Sequence, residues 1–321
     1  MVENGFADMI SVVIPSYNRC EAMRALLGDL RAQEGVEFEV VVVDDCSPDE
    51  SVDTIRREFP EVRLFVNEEN SGPSVTRNRA IREATGEVVV GFDSDVTVPD
   101  NRFLAKVAEK FSLRPEVTGM AFRLFKPDGE TEDVERWWHP RSIEEFVGRE
   151  FFTSYFSGTA YAFRREAAIE AGLYTEILYM HYEEVELAWR VMDAGGRILY
   201  VPDLAVCHHA NPVSRRNQVE VFLKPRNQIL LAVSCLPWAR ACAYVVPRTG
   251  FQCLKAIRRG HLGDFAKAMR SAIELLPRQM KARQPLKETT LREIDGLKSS
   301  TEATSKDGEC GTELAGEKGV V

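Results

Sequence analysis

Three acidic clusters in this chain lie where carboxylates can do chemistry. Asp93 and Asp95 close the apolar run of VVVGFDSDVT, Asp44 and Asp45 close VVVVDDCSPD, and Glu183, Glu184 and Glu186 open YEEVELAWR. Carboxylates two residues apart at a strand end point to the same side. Oxygen donors so placed suit Mg²⁺ or Mn²⁺ held jointly with substrate phosphates. Asp44 or Asp45 can accept a hydrogen bond from a base N–H or a ribose hydroxyl, or can merely cap the turn before Ser51. Acids in a first helical turn are favoured by the helix dipole. That accounts for Glu183–Glu186 in general terms but not for the aromatic segment Tyr179-Met180-His181-Tyr182 directly before them. A carboxylate shielded by aromatics has a raised proton affinity, which suits a general base. His208 ends a further apolar run in LAVCHHANP and is a candidate third metal ligand, ahead of His209.

Positioning these groups requires strands that end together. Ile10–Pro15, Phe38–Val43, Val62–Val66 and Val88–Phe92 read as strands. Between them lie a helix with the apolar face Met23, Leu26, Leu27 and Leu30, a helix over Ser51–Phe59, and a helix over Ser74–Ala84. Asn18 and Glu21 have capping-box spacing for the first of these. Continuous Val/Ile runs alternating with helices predict an α/β fold around a mostly parallel sheet covered on both faces. Ligands of such sheets bind outside the carboxyl ends of the strands. Ser16–Arg19, Asp44-Asp45 and Asp93-Ser94-Asp95 should therefore line one crevice. Farther on, Arg102–Phe111 and Glu183–Ala194 read as helices, Phe125–Gly148 as a variable loop region, and Arg197–Val201 as a strand that turns at Pro202-Asp203 into Leu204–His208.

Net charge is −9 over 321 residues, but Arg240–Lys287 holds eleven basic residues against two acidic ones, a local +9 that leaves −18 for the rest. Such asymmetry points to a local anionic partner. Seven cysteines at irregular spacing, with no C-x-x-C, read as free thiols in a reducing compartment. The opening MVENGFADMI has no secretory pattern, so a cytoplasmic location is expected.

Taken in order, SVVIPSYNR, FEVVVVDDCSPDES, NSGPSVTRNRAIREATGEVVVGFDSD, SGTAYAFRREAAIEAGLY and YEEVELAWRVMDAGGRILYVPDLAVCHH resemble the family 2 glycosyltransferases of the GT-A fold. The resemblance runs from Ile10 to Pro212. It implies a Rossmann-like nucleotide-binding half (about 1–100) and an acceptor-binding half (about 101–212), acting as an inverting transferase on a nucleotide-diphosphate sugar, with a UDP-, dTDP- or GDP-linked donor and a saccharide or lipid-linked acceptor in cell-envelope synthesis. By the same analogy Asp45, with Asp44 as alternative, contacts the base, Pro15 and Tyr17 frame the nucleotide, and Arg77 lies near it. Asp93, with Ser94 beside it, reaches the ribose, and Asp93 and Asp95 reach the metal. Glu184 matches the second acid of the family's usual Glu-Asp pair, the general base. Glu-Glu replaces Glu-Asp here, so Glu183 stays open as the base.

DSDVT also fits the haloacid-dehalogenase phosphohydrolases, with Asp93 as nucleophile, but their motif usually lies on the first core strand and a later Gly-Asp-x-x-x-Asp segment is missing. A sugar-nucleotide pyrophosphorylase would need a glycine-rich basic loop where PSYNR stands. A non-catalytic nucleotide-sugar binder fits three intact acidic clusters poorly. Residues 213–287 read as a basic helical extension. Gln228–Val246 is interrupted by Pro237 and Arg240, which disfavours a membrane span. Trp238, Tyr244 and Phe251 beside Arg248, Lys255, Arg258 and Arg259 instead suit peripheral contact through 228–287 with an anionic inner membrane face. A nucleic-acid partner is not expected. Residues 288–321, rich in Lys, Glu, Ser, Thr and Gly, read as a disordered tail.

Overall fold

The computed structural model describes residues 9–209 and 219–299. Its first part alternates β1 (Ile10–Ser16), α1 (Cys20–Arg31), β2 (Phe38–Asp44), α2 (Ser51–Glu58), β3 (Arg63–Val66), α3 (Pro73–Glu83) and β4 (Val88–Phe92). The second contains β5 (Val96–Thr97), α4 (Phe103–Leu113), β6 (Gly119–Phe125), α5 (Ile143–Phe146), β7 (Phe151–Thr153), β8 (Ala160–Arg164), α6 (Arg165–Glu170), α7 (Glu183–Asp193) and β9 (Ile198–His208). Four helices follow: α8 (Lys224–Cys235), α9 (Trp238–Arg258), α10 (Leu262–Lys281) and α11 (Glu288–Ser299).

One sheet runs in the order β3-β2-β1-β4-β8-β6-β9-β5, with β7 on β9. The first four strands are parallel, because each pair is joined by a crossover helix. Beyond β4 the sheet is mixed: β8 is antiparallel to β4 and β6, while β9 runs parallel to β6. The expected parallel order therefore holds only for β1 to β4. The strand directions carry Ser16, Asp44, Phe92 and His208, together with the start of β8, to one edge. Val96 pairs with His208, which sets Asp95 beside that histidine.

Alternate residues fill the two faces. Val12, Ile14, Val88 and Val90 pack with α1 and α4, whereas Val13, Val89 and Tyr161 pack with α3 and α7. Gly91 leaves room for the Tyr161 ring, which a Cβ would meet at 2.2 Å.

Three local expectations change. Asn18 does not cap α1. It adopts φ 54° and its N–H donates to Ser47 Oγ at 2.8 Å, while Asp49 accepts the Cys20 N–H; asparagine tolerates this left-handed turn, which takes it out of capping geometry. Pro202-Asp203 does not end a strand: β9 continues to His208 through a shift in register with β6 between Phe122 and Arg123. Proline has no N–H for the ladder, so the strand bulges there.

The third change concerns the expected tail. Residues 288–299 form α11, with Leu291 and Ile294 buried against Met192, Leu231, Cys235 and Leu236. The Asp193 carboxylate holds the start of this helix, accepting from Lys287 N and Thr290 Oγ1, each at 2.7 Å. The rest of the tail, residues 300–321, lies outside the described residues, as do residues 210–218 at the expected domain boundary. Leu291→Ala should lower unfolding stability by about 2–4 kcal/mol, the usual cost of truncating a packed leucine. Denaturant melts check this, and a change below about 0.5 kcal/mol, ordinary for surface sites, would show that α11 does not pack.

Candidate active site

The shared strand edge opens into a cleft of about 890 Å³. Pro15, Tyr17, Arg19, Asp45, Arg77, Asp93, Ser94, Asp95, Glu183, Glu184 and His208 all line it. Asp44 does not. It is fully buried beneath the edge, where its two oxygens accept from Ser47 N and Ser47 Oγ at 2.7 and 2.6 Å. Asp45 reaches the cleft while accepting from Asn67 Nδ2, Ser71 N and Gly72 N at 2.7, 3.0 and 2.8 Å, which fixes the start of α3.

Arg77 joins two of the acidic clusters. It lies on the inner side of α3, with its guanidinium 5.6 Å from the Tyr174 ring. Nη2 donates to Asp93 Oδ1 at 2.6 Å and Nη1 to Glu183 Oε1 at 3.4 Å. Next to it, Asn78 exchanges two 2.8 Å hydrogen bonds with the Tyr174 backbone. Burial pushes the Asp93 carboxyl up, but Arg77 outweighs this and holds it below the ordinary range. Glu183 goes the other way. Full burial first, then the neighbouring Glu184 charge, raise it well above 4.5, and Arg77 only partly offsets them. Glu184 is half-buried and faces the cleft. Gly158 fits under both groups, since a Cβ there would lie 3.0 Å from Arg77 Nη2 and 3.1 Å from Glu184 Oε1.

Asp95 belongs to a separate group. Its Oδ1 is 3.8 Å from His208 Nε2, and its Oδ2 is 3.6 Å from Arg19 Nη2. Asp133 holds His208 Nδ1 at 2.8 Å, which turns Nε2 toward Asp95. Burial raises the Asp133 carboxyl and the His208 hydrogen bond lowers it, for a net depression. Among the described residues no three His, Cys, Asp or Glu side chains converge as a ready metal cage. Asp95 and His208 come together, whereas Asp93 turns to Arg77.

Sequence reasoning passed over Asp133, Arg136, Trp138 and Tyr155, all of which line the cleft. The first three fall in the segment taken as a variable loop. A carboxylate, an arginine and a tryptophan in that polar stretch are the available signal. It also passed over the strain before α7: Tyr179, His181 and Tyr182 have φ of 65°, 66° and 72°. The Tyr179 ring lies over Gly72, where a Cβ would be 2.2 Å away, and Ser74 Oγ donates to Tyr179 O at 2.8 Å.

The family model for glycosyl transferase family 2 matches residues 11–172, half of the chain. The chain belongs to that family. Within it, the chain is 30% identical over 207 residues to the pre-mycofactocin glycosyltransferase of Mycobacterium tuberculosis H37Rv, covering 62% of this chain and 42% of that relative's length. Two solved structures share the GT-A fold. Staphylococcus aureus TarS 1–349 in complex with UDP-GlcNAc superposes with TM-score 0.59 at 21% identity, over 86% of this chain and 84% of that one. The mannosyltransferase PcManGT from Pyrobaculum calidifontis, in complex with GDP-Man and Mn²⁺, gives 0.55 at 19%, over 90% and 83%. Membership sets aside the phosphohydrolase alternative.

The Glu183 environment gives a pH signature. The folded chain keeps a proton there that the unfolded chain releases above about 4.5. Stability from this group is therefore complete below that pH and is lost as pH rises through its raised folded value. Glu183→Gln should remove that slope and gain on the wild type as pH rises above about 4.5. Thermal melts across this range check it, and parallel curves would mean that Glu183 ionises like an ordinary carboxylate.

Proposed function

We propose that the protein is an inverting glycosyltransferase that moves a sugar from a nucleotide-diphosphate donor to a hydroxyl acceptor in cell-surface polysaccharide or glycolipid synthesis. The observation that carries the reading is the division of labour between adjacent acids. Glu183 is fully buried on Arg77 with its proton held, whereas Glu184 beside it is half-buried and faces the cleft. Glu184 takes the proton from the acceptor hydroxyl as its oxygen attacks the anomeric carbon. Direct displacement by one base inverts the anomeric configuration and needs no covalent intermediate.

On the donor side, Pro15 and Tyr17 frame the base and Asp45 accepts from it, while Asp44 supports the loop from beneath. Asp93 and Ser94 meet the ribose. Mg²⁺ or Mn²⁺ fits Asp95 and His208: one carboxylate and one imidazole, with Asp133 fixing the ring, leave room for the phosphates to complete the donor set. When bound, such an ion neutralises charge on the departing diphosphate. Structural neighbours in complex with UDP-GlcNAc and with GDP-Man and Mn²⁺ support a nucleotide-diphosphate sugar donor and a divalent metal.

Glu184→Gln should leave nucleotide-sugar binding intact, followed by thermal shift with and without Mn²⁺, and should lower transfer by roughly 10²–10⁴-fold, the usual worth of a positioned base. Near-normal transfer would remove Glu184 from that role.

The acceptor side extends to a surface. Val246, Phe251, Leu254 and Ile257 of α9 are exposed, as are Leu262, Ile273 and Met280 of α10. Arg248, Arg258, Lys267, Arg270 and Arg278 are interspersed among them. No helix among the described residues is long and apolar enough to cross a membrane. Exposed apolar side chains amid cations fit an anionic lipid surface, and such a seat would serve a lipid-linked acceptor. The protein should co-sediment with phosphatidylglycerol vesicles and not with phosphatidylcholine ones, and the paired change Phe251→Glu, Leu254→Glu should abolish this. Equal recovery on both lipids, or on neither, argues against the surface.

A further inference from the structure

The strained segment before α7 is held from outside the region that the family model matches, residues 11–172. Asn227, in the first turn of α8, is fully buried. The two N–H bonds of its Nδ2 are shared among three main-chain carbonyls within hydrogen-bond distance, Leu178 O at 2.8 Å, Met180 O at 2.8 Å and His181 O at 2.7 Å. The left-handed residues Tyr179, His181 and Tyr182 curl the backbone, and these carbonyls converge on one point. A short side chain carrying an N–H₂ group reaches all three, with one hydrogen shared between two of them. The amide has one orientation available, because Arg226 Nε donates to Asn227 Oδ1 at 2.8 Å. Arg226 Nη2 adds bonds to Leu178 O at 2.9 Å and Ile177 O at 3.3 Å.

We infer that Asn227, locked in place by Arg226, is a positioning residue for glycosyl transfer. It holds residues 178–181 in the curl that sends Glu183 to Arg77 and Glu184 into the cleft. The inference rests on the function proposed above. It also makes α8 part of the catalytic apparatus, since the strained curl takes its side-chain donors from Asn227 and Arg226 of that helix. Carbonyls that lose the Asn227 donor favour a different loop conformation, and the glutamates would move with it.

The test compares the full chain with Asn227→Asp, an isostere that turns a carboxylate oxygen toward three carbonyls, and with Asn227→Ala. UDP-N-acetylglucosamine and GDP-mannose serve as donor probes. The expected result is a split: donor KM within about threefold, and kcat lower by roughly 100-fold, the order expected when a reacting group is misplaced by about 1 Å. The pH profile of kcat should shift as well. Amide hydrogen exchange over residues 178–184 should quicken while β1 and β4 keep wild-type protection. Unchanged kcat and exchange would overturn the inference, as would a kcat loss that only follows the folded fraction. If both variants fail to fold, Arg226→Lys, which removes the Nε lock, should show the same split in milder form, and its absence there overturns the inference. Exchange needs no substrate. A wild type that turns over no donor would count against the proposed function, while exchange still decides the role of Asn227.

Discussion

One buried cation sets the geometry of this protein. The Arg77 guanidinium meets Asp93 from the end of β4 and Glu183 from the start of α7. Those carboxylates are 90 positions apart in sequence. Removing a charge from water is costly unless it is paired, so Arg77 at 7% side-chain exposure needs the Asp93 carboxylate, with Glu183 accepting a further hydrogen bond. Three elements are thereby fixed at one point: α3, which presents Arg77, the sheet edge, and the helix that carries the glutamates. Gly91 and Gly158 serve the same point by leaving space for Tyr161 below and for Arg77 and Glu184 above.

The C-terminal helices are part of this frame. Met192 of α7 packs in one cluster with residues of α8, α9 and α11, and Tyr182, immediately before Glu183, packs against it. The outer face of α7 is therefore covered by a region that composition marks as an appendage. That region reaches the curl before α7 through Asn227 and Arg226, and its outer helices form the exposed apolar and basic surface.

What could be read in the sequence follows from the range of the forces involved. β1, β2 and β4 are legible because every residue of a doubly covered strand must be apolar, and the runs Val40–Val43 and Val88–Val90 record this directly. The acids at the strand ends are legible because strand direction alone brings them to one edge. Asp133 was not, since its meaning depends on His208, 75 residues away. Asn227 was equally hidden, because a buried asparagine and a surface asparagine look alike until the carbonyls it serves are located. In α11 the buried side rests on little more than Leu291 and Ile294, and the surrounding Lys, Glu, Ser and Thr residues gave the composition of a tail.

The location of the proton at the glutamate pair is decided by unequal effects. Both acids stand in the first turn of α7, where the dipole favours the carboxylate by about 0.3–1 kcal/mol, less than one pKa unit. Full burial raises a carboxyl by as much as 3–5 units, so the dipole cannot keep Glu183 ionised once it is enclosed. Glu184, one residue on, turns to the cleft and escapes that enclosure. A shorter first acid would withdraw from Arg77, which Glu183 already reaches only at 3.4 Å. The extra methylene of Glu183 thus lets one residue reach Arg77 while its neighbour faces the cleft.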